Sequence, residues 1–163
     1  LSPDLRSDLG SARLDFKVIV DYAHTPDSLE KLYQTYAGKF RICVLGNTGG
    51  GRDKWKRPVM AGIAEKYFDE IILTNEDPYD ENPEQIIREM AGGIKSKQPT
   101  LIMDRREAIH FALQKASKGD AVLITGKGTD PYIMGPHGSK QILDDATVAR
   151  EEMVKVLAQR NNQ

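Results

Sequence analysis

Short apolar runs alternate along the chain with longer stretches in which apolar residues return every three or four positions. Residues 16–20 (FKVIV), 41–45 (RICVL), 70–74 (EIILT), 100–103 (TLIM) and 121–125 (AVLIT) place β-branched and apolar side chains on successive positions. That is the pattern of strands covered on both faces, not the in-out alternation of a half-exposed sheet. Between them the helical period predicts helices over 27–36, 58–67, 83–94 and 105–117, and a last one over about 144–159. Pro58 and Pro83 suit first helical turns, where a missing N–H is not needed, and Gly38 and Gly119 suit helix stops.

Strands and helices in such regular succession require right-handed crossovers. The expected fold is therefore α/β: a three-layer, Rossmann-like domain with a mainly parallel sheet of about six strands, covered by helices on both faces. Residues 1–15 are polar, carry Pro3 and Gly10 and keep no period, so they read as a linker or mobile lead-in to a domain over 16–163. Residues 131–143, rich in Gly and Pro, read as a loop with a short edge strand. The chain starts at Leu1 rather than Met, as expected of a fragment or a processed product.

Composition narrows the function. A chain of 163 residues buries a self-sufficient core as one domain. With 23 basic and 24 acidic residues there is no global field to recruit nucleic acid or an anionic membrane, so any anion site is local. Cys43 sits inside an apolar run and reads as a small buried hydrophobe; a lone cysteine excludes an internal disulfide and fits a reducing cytosol. No stretch approaches the roughly 18–20 apolar residues of a membrane span, and residues 1–17 lack the apolar middle of a signal peptide. A cytoplasmic protein is expected.

In an open α/β sheet, ligands gather beyond the carboxyl ends of the strands. The first strand leads into Asp21-Tyr22-Ala23-His24-Thr25-Pro26-Asp27, which joins an acid, an imidazole and a hydroxyl; Thr25 or Asp27 also reads as a plain helix cap. The second leads into Gly46-Asn47-Thr48-Gly49-Gly50-Gly51-Arg52-Asp53-Lys54, where glycines allow close backbone approach and Arg52 offers a planar fork for a carboxylate or phosphate. The spacing mimics a Walker A loop, but Arg52-Asp53 stands where Lys-Ser/Thr is required, so a phosphate-cradling loop is excluded there. The third leads into Thr74-Asn75-Glu76-Asp77-Pro78-Tyr79-Asp80-Glu81, equally readable as a solvated acidic loop, and the fifth into Thr125-Gly126-Lys127-Gly128-Thr129-Asp130, equally readable as a turn with an exposed lysine. His24, His110 and His137 lack metal-ligand spacing, and no Rossmann glycine fingerprint follows the first strand, which argues against a nicotinamide enzyme.

Taken together, Asp21-Tyr22-Ala23-His24-Thr25-Pro26, the Arg52-Asp53-Lys54 loop with Lys56-Arg57-Pro58, Asn75-Glu76-Asp77-Pro78, Asp104-Arg105-Arg106-Glu107-Ala108-Ile109 and Gly126-Lys127-Gly128 stand in the order seen in Mur ligases. Over residues 16–156 the chain resembles the carboxy-terminal domain of that family, in particular its E-type branch, the UDP-N-acetylmuramoyl-tripeptide synthetases. The resemblance implies a three-domain enzyme of peptidoglycan synthesis. It uses ATP and Mg, held mainly by the central domain, to phosphorylate UDP-MurNAc-L-Ala-D-Glu before an amino acid attacks the acyl phosphate.

The resemblance further implies roles. Asp21 and His24 would face ATP across the interdomain cleft. Arg52 would clamp the carboxylate of the incoming amino acid, and Glu76, Asp77, Tyr79, Gly126 and Asp130 would line its site. The family reads Asp-Asn-Pro-Arg in the third loop when the substrate is diaminopimelate; here Tyr79 replaces that arginine and Glu76 and Asp77 add negative charge, which points to lysine or ornithine. In the Gly-Lys-Gly loop, Asp130 stands where relatives often carry a glutamate. By itself this domain would be inactive. Rival readings are a stand-alone binding module on the same fold, or a ligase domain like those of folylpolyglutamate synthase or cyanophycin synthetase.

Overall fold

The computed structural model describes residues 15–36, 39–51 and 53–161. Five parallel strands form the main sheet: β1 (Lys17–Asp21), β2 (Arg41–Leu45), β3 (Glu70–Leu73), β4 (Thr100–Leu101) and β5 (Ala121–Thr125), in the spatial order β1-β5-β2-β3-β4. β5 is thus lodged between β1 and β2, with Val18 opposite Val122 on one side and Ile42 opposite the same Val122 on the other. The continuous apolar runs follow from this placement, because side chains of both parities are covered. Val18, Val20, Ile42, Val44, Val122 and Ile124 point into one core with helices α4 (Arg105–Lys115) and α5 (Asp145–Asn161). Ile19, Cys43, Leu45, Ile71, Leu73 and Leu123 point into the other, with α1 (Pro26–Thr35), α2 (Lys56–Tyr67) and α3 (Pro83–Ala91).

Local chemistry fixes where the helices start. Thr25 caps α1 through a reciprocal capping box with Ser28, Asn82 caps α3 and Asp104 caps α4, each accepting from free first-turn N–H groups. Pro83 takes the first turn of α3 and Pro58 the first turn of α2, as the sequence predicts. The three-layer α/β expectation holds, with five strands in the main sheet rather than about six.

The remaining pair of strands corrects the loop expected over 131–143. β6 (Tyr132–Met134) and β7 (Lys140–Ile142) form a separate antiparallel hairpin, closed by one 3-10 turn at Pro136–Gly138 where His137 and Gly138 take positive φ. Most of the expected lead-in, residues 1–14, lies outside the described residues, as does Gly38. Among the described residues, no helix is long and apolar enough to cross a membrane.

Candidate functional site

The loops leaving β1, β5, β2 and β3 line one rim of the sheet in that order, because the strands do. Gly126 stands at the centre. Its N–H donates to the Asp21 carbonyl (3.2 Å), and a Cβ on it would collide with the Glu76 carboxyl; its φ of 111° belongs to glycine in any case. A Cβ on Gly128 would press on Tyr22, at 3.0 Å from its backbone. The β5 loop therefore touches the β1 loop on one side and the β3 loop on the other.

The glycine loop after β2 is fastened to the loop after β3. Gly49 N and Thr48 Oγ1 donate to the Asp77 carbonyl (2.6 and 3.3 Å), and Gly51 N donates to the Glu81 carboxylate (2.5 Å). Beneath them the wholly buried Arg57 donates to Glu81 (3.0 Å), Glu89 (2.6 Å) and the Thr48 carbonyl (3.4 Å). Arg57 holds Glu89 below the usual carboxylate range by hydrogen bonding, against a smaller opposing effect of burial. Arg105 does similar work one layer over. It is buried, pairs with buried Asp145 (2.7 Å) and donates to the carbonyls of Asn75 (3.1 Å) and Thr125 (3.0 Å), where the β3 and β5 loops begin.

The acids of the rim are largely engaged within the protein. Asp77 Oδ1 accepts from Lys127 Nζ (2.9 Å) and from Met134 N (2.8 Å). Lys127, only 1% exposed, also lies 3.5 Å from Asp130 Oδ2, while Asp130 Oδ1 accepts from Tyr132 N. Glu76 is 5% exposed and one of its carboxyl oxygens has no hydrogen-bond partner. Burial pushes its pKa up to about 7, with Arg105 opposing and the neighbouring Asp77 charge assisting. The two open anions expected at Glu76 and Asp77 are thus a buried carboxyl and an internally paired one.

Two clefts open on either side of Gly126. Tyr79, held at φ 51° with its N–H donating to the Met134 carbonyl (3.0 Å), lines a cleft of about 900 Å³ with Asn75, Asp80, Glu81 and Lys140. Asp21, Tyr22, His24 and Thr25 line the other, of about 530 Å³. There Asp21 Oδ1 accepts from Ala23 N (2.9 Å), and the rings of Tyr22 and His24 stand 4.7 Å apart at the surface. Arg52 lies outside the described residues.

For a nucleotide, this second cleft offers aromatic faces and polar edges. Among the described residues of the glycine loop, the N–H groups of Gly49 and Gly51 are committed to the β3 loop and so are not turned to a triphosphate. Among the described residues no cluster of three His, Cys, Asp or Glu is placed to hold a metal ion.

This rim of linked loops on a parallel sheet has counterparts. Residues 6–128 match the family described as Mur ligase, glutamate ligase domain. The chain belongs to the Mur ligase family. It is 44% identical over 153 residues to the Bacillus licheniformis UDP-N-acetylmuramoyl-L-alanyl-D-glutamate--2,6-diaminopimelate ligase, covering 93% of this chain and 31% of that protein. The Coxiella burnetii ligase of the same name is 50% identical over 117 residues, covering 69% and 24% respectively. A solved structure of a ligase with that name superposes with a TM-score of 0.81 at 36% identity, over 91% of this chain and 31% of the other. Mycobacterium tuberculosis folylpolyglutamate synthase, solved with ADP and AMPPCP, shares the fold alone, with a TM-score of 0.53 at 19% identity over 76% of this chain and 28% of that one. The chain spans about a third of the length of the ligases it matches.

Within this Mur ligase domain, Glu76, Asp77, Gly126 and Asp130 come together at the middle of the rim, Asp21 and His24 form one flank, and Tyr79 the other. The residues that hold these loops in register, Arg57, Arg105, Glu81 and Lys127, carry no role in the sequence reading. Lone charges have no period. For Arg57, Arg105 and Lys127 the available signal is a place inside the motifs that carry the resemblance; Glu81 has none beyond its acidic loop.

Proposed function

We propose that the chain is the amino-acid-binding domain of a cytoplasmic, ATP-dependent amide ligase that adds the third amino acid to UDP-MurNAc-L-Ala-D-Glu. The observation that carries this reading is the junction at Gly126, where the β1 loop and the acid-bearing β3 loop meet on one rim, in a domain spanning a third of relatives named as such ligases. ATP, with Mg, supplies the phosphoryl group that activates the D-glutamate carboxylate. Asp21 and His24 close over the nucleotide, Arg52 holds the carboxylate of the incoming amino acid, and Gly126, Asp130 and Tyr79 border its side chain. Held against an activated carboxyl, the amine reacts as if at very high local concentration, so orientation provides most of the acceleration.

The incoming substrate is a diamino acid. The names of the relatives favour 2,6-diaminopimelate. Lysine and ornithine rest on Tyr79, which takes the place of an arginine in the Asp-Asn-Pro-Arg loop of diaminopimelate users. The test is ADP release by the full-length enzyme with UDP-MurNAc-L-Ala-D-Glu and each of the three amino acids in turn. Release that depends on one of them supports the ligase; no dependence on any overturns it. An arginine-to-lysine change at position 52 is expected to raise KM for the amino acid by about tenfold, because a single ammonium cannot reproduce the two-pronged grip.

A further inference from the structure

Lys127 is a buried cation of the rim, and unlike the buried arginines near it, it stands between two carboxylates that both keep some exposure. Its ammonium reaches Asp77 Oδ1 at 2.9 Å and Asp130 Oδ2 at 3.5 Å, with its own side chain wholly covered. The side chains of Asp77 and Asp130 keep 14% and 37% of their exposure, so the two acids meet solvent while the cation between them does not. The buried Arg105 is already matched by Asp145 and two carbonyls, and the buried Arg57 by Glu81 and Glu89. Two partly exposed carboxylates therefore share one internal ammonium, which leaves less of their charge to offer a cation arriving from solvent.

We propose that Lys127 is a specificity-determining positioning residue: it fills the niche between Asp77 and Asp130 from within, and so denies the enzyme a strong preference for amino acids bearing a lone side-chain ammonium. The proposal rests on the ligase reading above. It follows from the Coulomb balance of the niche. A lysine substrate would have to compete with Lys127 for the same oxygens, whereas the distal end of 2,6-diaminopimelate, with one ammonium and one carboxylate, brings no net charge and meets no such competition. Lys127 also ties Asp77 on the β3 loop to the β5 loop, so the niche keeps its shape without a ligand.

The test compares kcat/KM for L-lysine and for 2,6-diaminopimelate in the full-length enzyme and two variants. Lys127→Met leaves both acids unmatched and is expected to raise the lysine-to-diaminopimelate ratio by about tenfold, equivalent to roughly 1.4 kcal/mol. Asp77→Asn leaves the buried cation in excess and is expected to move the ratio the opposite way. Loss of packing alone would lower both substrates together and could not reverse sign between the two variants. If Lys127→Met fails to fold, as a circular dichroism melt would show, Lys127→Gln takes its place beside Asp77→Asn. An active wild type whose ratio stays flat or moves in one direction in both variants overturns the role of Lys127 alone, while a wild type that adds neither amino acid overturns the ligase reading beneath it.

Discussion

At the junction of Gly46 and Gly126, the carboxyl of Glu76 is enclosed with one oxygen unpartnered, and this single group makes stability depend on pH. Unfolded, it titrates near 4.5; folded, near 7. The folded state holds the proton more tightly, so its contribution is complete below about 4.5 and is lost as pH climbs through 7, by at most about 1.4 kcal/mol per pH unit. Glu76→Gln removes the charge and keeps the shape. The variant is expected to gain about 1–3 kcal/mol on the wild type between pH 5 and pH 8, read from urea unfolding at each pH. A constant difference across that range would show that Glu76 is ionised throughout. Asp21, His24 and Tyr79 were legible as candidates because each follows a strand in a polar cluster. The pairing of Lys127 with Asp77 was not, because it joins residues fifty positions apart.

Between elements, Arg105 couples four pieces at once. From the first turn of α4 it reaches Asp145 at the start of α5 and the carbonyls at the ends of β3 and β5. Arg105→Met leaves Asp145 charged and buried and strands two carbonyls, and is expected to cost roughly 3–5 kcal/mol in a denaturant titration. A loss below about 1 kcal/mol would mean that water takes over the guanidinium's bonds. Helices and central strands were readable from sequence to within a few residues, because period, proline position and caps agree: Asn82 precedes Pro83, and Asp104 precedes Arg105. The β6–β7 hairpin was not. Its strands have three residues each, β7 is exposed throughout, and a glycine-rich turn hides the pairing of Tyr132 with Ile142.

For the molecule as a whole, the ligase reading proposed above makes the rim one half of a site. The isolated domain is expected to unfold in a single cooperative step and to release no ADP from ATP, since the N–H groups of Gly49 and Gly51 are spent inside the protein. Turnover by the isolated domain approaching that of the full-length enzyme would place a phosphate grip within this chain. The sheet order has a further consequence, for biosynthesis. Among the described residues β1 lies at the edge of the sheet with β5 as its strand neighbour, so Lys17 waits for Ala121 to emerge before that pairing forms. During translation the first strand leaves the ribosome a hundred residues ahead of its partner, exposing an apolar segment for several seconds at ordinary elongation speeds of about 5–20 residues per second. Closure of the sheet at β1 waits on β5, and that interval is the one in which a chaperone has most to protect.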